Sequence, residues 1–421
     1  MRRIGLVVLI AALAAAGAFA QQEYDFNIMG TGARARGMGG AFIGVADDAT
    51  AVGWNPAGLA QLEKMEASVV GLFNITKYSS ESTFGGETDT YEESASHPAP
   101  AFASFVIPLK TGNKNLALAV AYQRMVDMGN KAKGSDQDYG YFPTGDYDWT
   151  YEAKGGMDAI TPAIAVQLSD NFSFGAAGNI YINGVTEKQK NTFTADQSIT
   201  DNFTEETKFS GFNFNAGALV SLQKFSIGAM MRFPFNLKID ITNSNDYTNL
   251  PTYGSGSTSS EMSGAEFSMP MIIGFGAAVK PTDKLTLAAD YEIRPYSNSE
   301  FSYQGTSDDA GMNDCNQLRV GMEYIFTGPN AVFPIRLGFR TDPKTFDGFK
   351  GTWTSPDTSQ ASGYAITGGF GLNMGRMMLD LAYEYGNLKP IDVSGDLFGY
   401  QASMMSEYKS HNIMASAIFH F

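Results

Sequence analysis

The chain has 421 residues, a formal net charge of −15, 46 glycines, 13% aromatic and only 17% charged residues. Such acidity argues against nucleic acid as a partner. One cysteine, Cys315, and three scattered histidines, His97, His411 and His420, supply no disulfide framework, metal centre or cofactor-ligating set.

The chain opens on the pattern of an export signal over residues 1–20. Arg2 and Arg3 form a positive start, Ile4 to Phe19 an apolar stretch, and Ala18-Phe19-Ala20 a small-x-small cleavage site before Gln21. Removing those two arginines takes the charge from −15 to −17. With no cysteine at the cut, lipoprotein processing is excluded. Beyond Ala20 no run of about 18 apolar residues occurs, so an exported membrane protein of this sequence is a closed barrel, because open sheet edges cannot sit in lipid.

Residues 21–64 carry Gly30, Gly32, Gly37, Gly39, Gly40 and Gly44 and lack a strand pattern. A phosphate-cradling loop is excluded: Gly30-x-Gly32 is followed by Arg34-Ala35, without the third glycine or a βαβ context. Glycine at this density suits close backbone packing, and the segment reads as an N-terminal hatch, with a merely structural strap as the alternative. Asp47-Asp48-Ala49-Thr50 caps a short helix leading to Trp54, and Asn55-Pro56-Ala57-Gly58 reads as a turn.

Residues 65–421 repeat one unit: strand, very short turn, strand, long polar loop. Short connections fall near Thr111–Asn115, Ser169–Asn171, Gln223, Pro281–Asp283, Thr327–Ala331 and Asn373–Arg376. Long ones fall near 79–97, 129–153, 187–207, 242–260, 302–313, 342–360 and 389–406. These thirteen connections give fourteen strands, with both mature termini at the short-turn, periplasmic end and the long loops extracellular. Leu285, Leu287, Ala289, Tyr291 and Ile293 alternate with Thr286, Ala288, Asp290, Glu292 and Arg294, so the first set faces lipid and the second the lumen. Leu318 to Phe326 and Leu379 to Tyr385 repeat the pattern. The last strand ends on Phe421, on the apolar face with Phe419 and Ile413, as many bacterial outer-membrane barrels end; that residue is the expected handle for the barrel assembly machinery. The expectation is an all-β, 14-stranded antiparallel transmembrane barrel in the outer membrane, monomeric, with the hatch filling a lumen that fourteen strands otherwise leave open.

The run from Ala35 to Ala60, with its Asn55-Pro56-Ala57 triplet, resembles the N-terminal hatch of the FadL/TodX outer-membrane transporters. The stretch from Met269 to Tyr291 and the ending from Tyr408 to Phe421 are similar to the same family; residues 79–260 match only in strand rhythm. The resemblance implies a fourteen-stranded barrel and passive uptake of long-chain fatty acids or aromatic hydrocarbons. It also implies release sideways through a gap beside a kinked third strand and the Asn-Pro-Ala turn, which makes Gly39, Gly40, Trp54, Asn55, Pro56 and Ala57 the hatch and gating residues. Here the third strand, Leu116 to Met128, contains neither glycine nor proline. The hatch motif equally resembles PorV-type relatives, which share the barrel and serve in secretion or surface attachment. A general porin is the third reading.

A hydrophobic ligand, or an outer-membrane lipid, needs an apolar pocket. Phe142 and Trp149, in the aromatic cluster with Tyr139, Tyr141, Tyr147 and Tyr151, are candidates to collect it, or else pack loop on loop. Arg294, Arg319, Arg336 and Arg340 lie on inward faces, either to meet a ligand carboxylate or to brace the barrel against Asp290, Glu292, Glu323, Asp380 and Glu384. Arg34 and Arg36 are placed to reach the same carboxylates. No nucleophile motif accompanies the histidines, so an enzyme is not expected.

Overall fold

The computed structural model describes residues 28–112, 114–136, 146–194, 196–250, 254–397 and 399–421. The export signal and Phe142, with Tyr139 and Tyr141, lie outside them.

Alternating residues decide the architecture. Leu287, Tyr291, Val320, Tyr324, Leu381 and Tyr383 are exposed, while their neighbours Ala288, Asp290, Arg319, Glu323, Asp380 and Ala382 are buried. A strand with one oily and one polar face is stable in lipid only when its polar face turns into a closed lumen and every backbone group finds a ladder partner. Among the described residues, fourteen strands do this. They are β1 (Glu66–Phe84), β2 (Glu87–Thr111), β3 (Lys114–Asp127), β4 (Tyr147–Ser169) and β5 (Phe172–Ile182). Next come β6 (Thr200–Ser221), β7 (Phe225–Arg232), β8 (Ile272–Thr282), β9 (Leu285–Ile293) and β10 (Gln317–Thr327). The ring is completed by β11 (Val332–Asp347), β12 (Gln360–Asn373), β13 (Met377–Leu397) and β14 (Tyr400–His420). Each pairs antiparallel with the next. β14 returns to β1 from Glu66↔His420 to Phe84↔Ala402, which closes the wall. All six expected short turns are found between consecutive strands at the expected places.

The long connections differ from the sequence reading. Much of what was expected as polar loop is strand. β1 and β2 stay paired up to Phe84↔Glu87, leaving only Gly85 and Gly86 between them, and β13 stays paired to β14 up to Leu397↔Tyr400. Further strands (Asn130–Asp136, Gly184–Phe193, Phe235–Leu250, Gly254–Met269) extend the same end. The 21 residues of β14 reach roughly 70 Å at about 3.3 Å each, against an apolar band about 25 Å tall, so the strands continue well beyond the membrane as a crown.

Residues 28–62 lie in the lumen as short pieces: α1 (Ala33–Gly37), α2 (Ala51–Trp54) and a 3₁₀ turn (Pro56–Gln61). One side is apolar: Met38, Phe42, Val45, Ala49, Val52, Trp54 and Leu59 pack in one cluster with Val70, Phe102, Val106, Ala117, Ala121, Ala163 and Ala177 of β1–β5. The other side meets the charged residues of β9–β13.

Candidate functional site

The lumenal segment is seated by its backbone. Phe42 N–H and Ile43 N–H both donate to Asp290 Oδ2, at 2.7 and 2.8 Å. Gly39 N–H donates to Thr367 Oγ1 at 2.9 Å, and that hydroxyl donates to Gly37 O at 3.0 Å. Ser226 Oγ donates to Gly44 O at 2.6 Å. Such contacts need the wall stripped of side chains, and Gly175, Gly217, Gly228, Gly276, Gly321, Gly338 and Gly369 lie beneath the segment on β5–β8 and β10–β12. A Cβ on Gly338 would stand 2.1 Å from Gly39 N, and one on Gly217 would stand 2.1 Å from Asn55 Oδ1. The sequence reading missed this girdle. Its signal was present, as glycine at inward positions of otherwise alternating strands, such as Gly276 after outward Phe275.

The Asn55-Pro56-Ala57 turn lies on the β5–β6 part of that girdle. Asn55 is wholly buried; its Nδ2 donates to Ile43 O at 2.9 Å and to Ala218 O of the wall at 3.1 Å. Its Oδ1 accepts from Ala57 N–H at 3.2 Å, capping the 3₁₀ turn that Pro56 begins. Trp54 Nε1–H donates to Thr31 O at 2.8 Å, and the Arg319 guanidinium lies 5.4 Å from its ring centroid. Gly40, at φ 80°, turns beside the same ring.

The charged side is a buried layer of three ion-paired groups, around Glu292, Glu323 and Glu384. Arg336 joins Glu323 and Asp380 at 2.7 and 2.6 Å, while Arg319 and Arg294 each reach Glu292 at 2.5 Å. Arg340 pairs with Glu384. From the lumenal segment, Arg34 reaches Glu323 at 3.0 Å and also pairs with Asp47; Arg36 reaches Glu384 at 2.7 Å. All four candidate arginines of the wall are therefore engaged by carboxylates, the arrangement that bracing requires. Burial raises the Asp48 carboxyl above its ordinary range, against the pull of Arg34 3.8 Å away.

Above the segment is a cavity of about 680 Å³. Its floor is Met29, Gly30, Thr31 and Arg36, and its walls carry Leu72, Met125, Met128, Trp149 and Met414 beside Arg124, Asp127 and Arg340. Trp149 thus lines it with Tyr147 and Tyr151, and of the four candidate wall arginines Arg340 borders the same space. A second hollow, about 330 Å³, opens on the outer wall over β1–β4 and β14, where Ala67 and Ala103 lie among Val69, Phe105, Val120, Ile160 and Phe419.

A family model described as BamG matches residues 2–388. The chain belongs to the BamG family. No curated protein sequence matches this BamG-family chain at a significant level. Its fold is that of the FadL-type channels. A Pseudomonas aeruginosa FadL homologue superposes with a TM-score of 0.60 at 14% identity, covering 93% of this chain and 98% of that one. The Pseudomonas putida toluene transporter TodX gives 0.56 at 13%, over 94% and 99%, and the Ralstonia pickettii toluene transporter TbuX gives 0.54 at 15%, over 94% and 100%. At such identities the likeness establishes the fold, a closed transmembrane barrel of the outer-membrane type.

Proposed function

We propose that this protein is an outer-membrane channel for the passive uptake of hydrophobic compounds, long-chain fatty acids or aromatic hydrocarbons. The observation that carries this reading is the cavity of about 680 Å³ floored by a separate piece of chain rather than by the wall. The printed names of the similar structures, toluene transporters and a FadL homologue, support it. In this reading the crown is extracellular and both mature termini are periplasmic. Ligand enters past Tyr147, Trp149 and Tyr151 and gains roughly 25 cal/mol for each Å² of apolar surface it buries. The lumenal segment acts as a hatch, held by ion pairs on its charged side and packed on its other side against a mostly apolar wall, in one cluster with Val52 and Leu59. Rearrangement of the Asn55-Pro56-Ala57 turn then releases ligand sideways into the membrane. The protein works as a monomer, and Phe421 is its signal to the barrel assembly machinery.

The test is uptake of a hydrophobic tracer by a variant carrying Asn55→Ala with Pro56→Ala. Uptake should fall while the barrel keeps its heat-resistant mobility in detergent electrophoresis. Unchanged uptake would remove the gating role of the turn, and steady ion conduction by the unaltered protein in planar bilayers would indicate a general porin. A second reading is a PorV-like barrel that holds a partner protein, favoured by the tall crown and by a lumen whose arginines are already matched by carboxylates. Its signature is co-purification with secreted or surface proteins, or with the assembly machinery itself, and no stoichiometric lipid.

A further inference from the structure

Lys77 and Lys409 lie directly opposite each other on β1 and β14, the strand pair that closes the wall. Like charges so placed repel, and Lys389 of β13 brings a third ammonium to the same patch. All three face outward. Their sequence neighbours Tyr78, Leu388 and Tyr408 are buried in one cluster that lines the cavity, and successive strand residues point to opposite faces. Glu407 shares the outer row: it accepts from Lys409 Nζ at 2.7 Å and lies 3.8 Å from Lys389 Nζ. Glu92 stands opposite Ser79, one outward step beyond Lys77. Lys77 itself is exposed and has no ion pair among the described residues. On this patch three ammoniums and His411 therefore face two carboxylates, in a chain whose formal charge is −15.

The outer face is layered below these cations. First come His411 and Tyr385, their ring centroids 5.5 Å apart, and Tyr383, whose hydroxyl lies 2.7 Å from His411 Nδ1. Next are Phe73 and Ile413, both exposed. Lys409 lies ten residues before Phe419. At about 3.3 Å per residue and a tilt near 40°, that is roughly 33 Å of strand and about 25 Å of height. Such barrels carry an apolar band of the same height. The ammoniums therefore stand at its upper rim, above aromatic rings, where lipid head groups begin.

We infer that Lys77, Lys389 and Lys409 form a site for the phosphate of an anionic lipid, a phosphorylated glycolipid of the outer leaflet, whose acyl chains lie along Tyr383, Phe73 and Ile413. The phosphate bridges β1 and β14 and offsets the repulsion between Lys77 and Lys409. Glu407, which also accepts from Asn387 Nδ2 at 2.7 Å, keeps Lys389 and Lys409 on the same side of it. The bound lipid thus clamps the seam at which the barrel closes. Of the uptake reading, the inference uses only the extracellular placement of the crown.

The protein in dodecyl maltoside is titrated with lipid A, phosphatidylglycerol, phosphatidylcholine or inorganic phosphate. Bound lipid is read by native mass spectrometry, and stability by the midpoint of the heat-induced electrophoretic shift. Lipid A should bind and raise the midpoint, while phosphatidylcholine and inorganic phosphate should leave it unchanged. Lys77→Gln with Lys409→Gln should weaken lipid A binding by about tenfold or more, as the loss of two cations at a lipid surface implies. The same pair changed to arginine should bind as the parent does. So should Lys224→Gln with Lys280→Gln, an equal loss of charge at the short-turn end. The site is overturned if the Lys77/Lys409 glutamine pair keeps parental binding, if both glutamine pairs lose it equally, or if inorganic phosphate reproduces the rise. Should the Lys77/Lys409 pair fail to assemble, Lys389→Gln alone must still weaken binding, and unchanged binding overturns the site. Phosphatidylglycerol binding where lipid A does not overturns the outer-leaflet assignment; tracer uptake, measured separately, judges the uptake reading.

Discussion

Arg336 is fully buried and joins two carboxylates, Glu323 and Asp380, that lie on different strands. Replacing it with methionine leaves Asp380 without its ion pair in the lumen, and breaking a buried pair by removing one partner costs about 3–5 kcal/mol. Arg336→Met should therefore unfold at a clearly lower temperature in detergent, read from the heat-induced electrophoretic shift, and adding Asp380→Leu should recover much of the loss. A single variant as heat-resistant as the parent would mean that the layer braces nothing. At Gly338 the effect is steric. Gly338→Val places a side chain against Gly39 N, where even a Cβ would stand at 2.1 Å. The expected outcome is a displaced segment in an intact barrel, seen as new steady conductance in planar bilayers; a silent variant would show that the seat accommodates bulk. The inward direction of these arginines and carboxylates was legible in sequence, because alternation alone sets it. Their pairing was not, since it depends on which strands become neighbours: Arg336 on β11 meets Asp380 on β13, two strands away.

At the scale of elements, the sequence showed strands where one face meets lipid and lost them where both faces meet water. From Ser79 to Phe84 and from Glu87 to Ser94 the ladder continues unbroken, yet no apolar row marks it. Backbone hydrogen bonds do not need an oily face, and the polarity pattern that reveals a strand disappears above the membrane. The turn that joins them, placed by the sequence reading inside a loop over 79–97, is Gly85-Gly86, whose φ values of 60° and 89° favour glycine. A protease-site insertion between these two residues should leave barrel assembly intact and be cut on whole cells. Protection from external protease, with cutting only after lysis, would reverse the orientation of the crown. The third strand is a further case. The family resemblance placed a gap beside a kink in it. Here β3 pairs regularly with β2 up to Gln123, and the irregularity lies higher, in the ladder that stops.

For the whole molecule, the strand count was legible because periodicity, short turns and an even number all follow from spanning a membrane with closed hydrogen bonding. The lumenal segment was legible as glycine-rich and strandless. Its division into an apolar side toward β1–β5 and a charged side toward β9–β13 was not, because that asymmetry is a property of the assembled ring. In the uptake reading proposed above, this two-sided lumen is what would let a plugged barrel pass a ligand, with the ion pairs holding one side of the segment. The most direct test is native mass spectrometry, with lipid extraction, of the protein purified in mild detergent. Passive uptake predicts a fatty acid or hydrocarbon bound at close to one per chain. An empty barrel that instead carries a protein partner would contradict it.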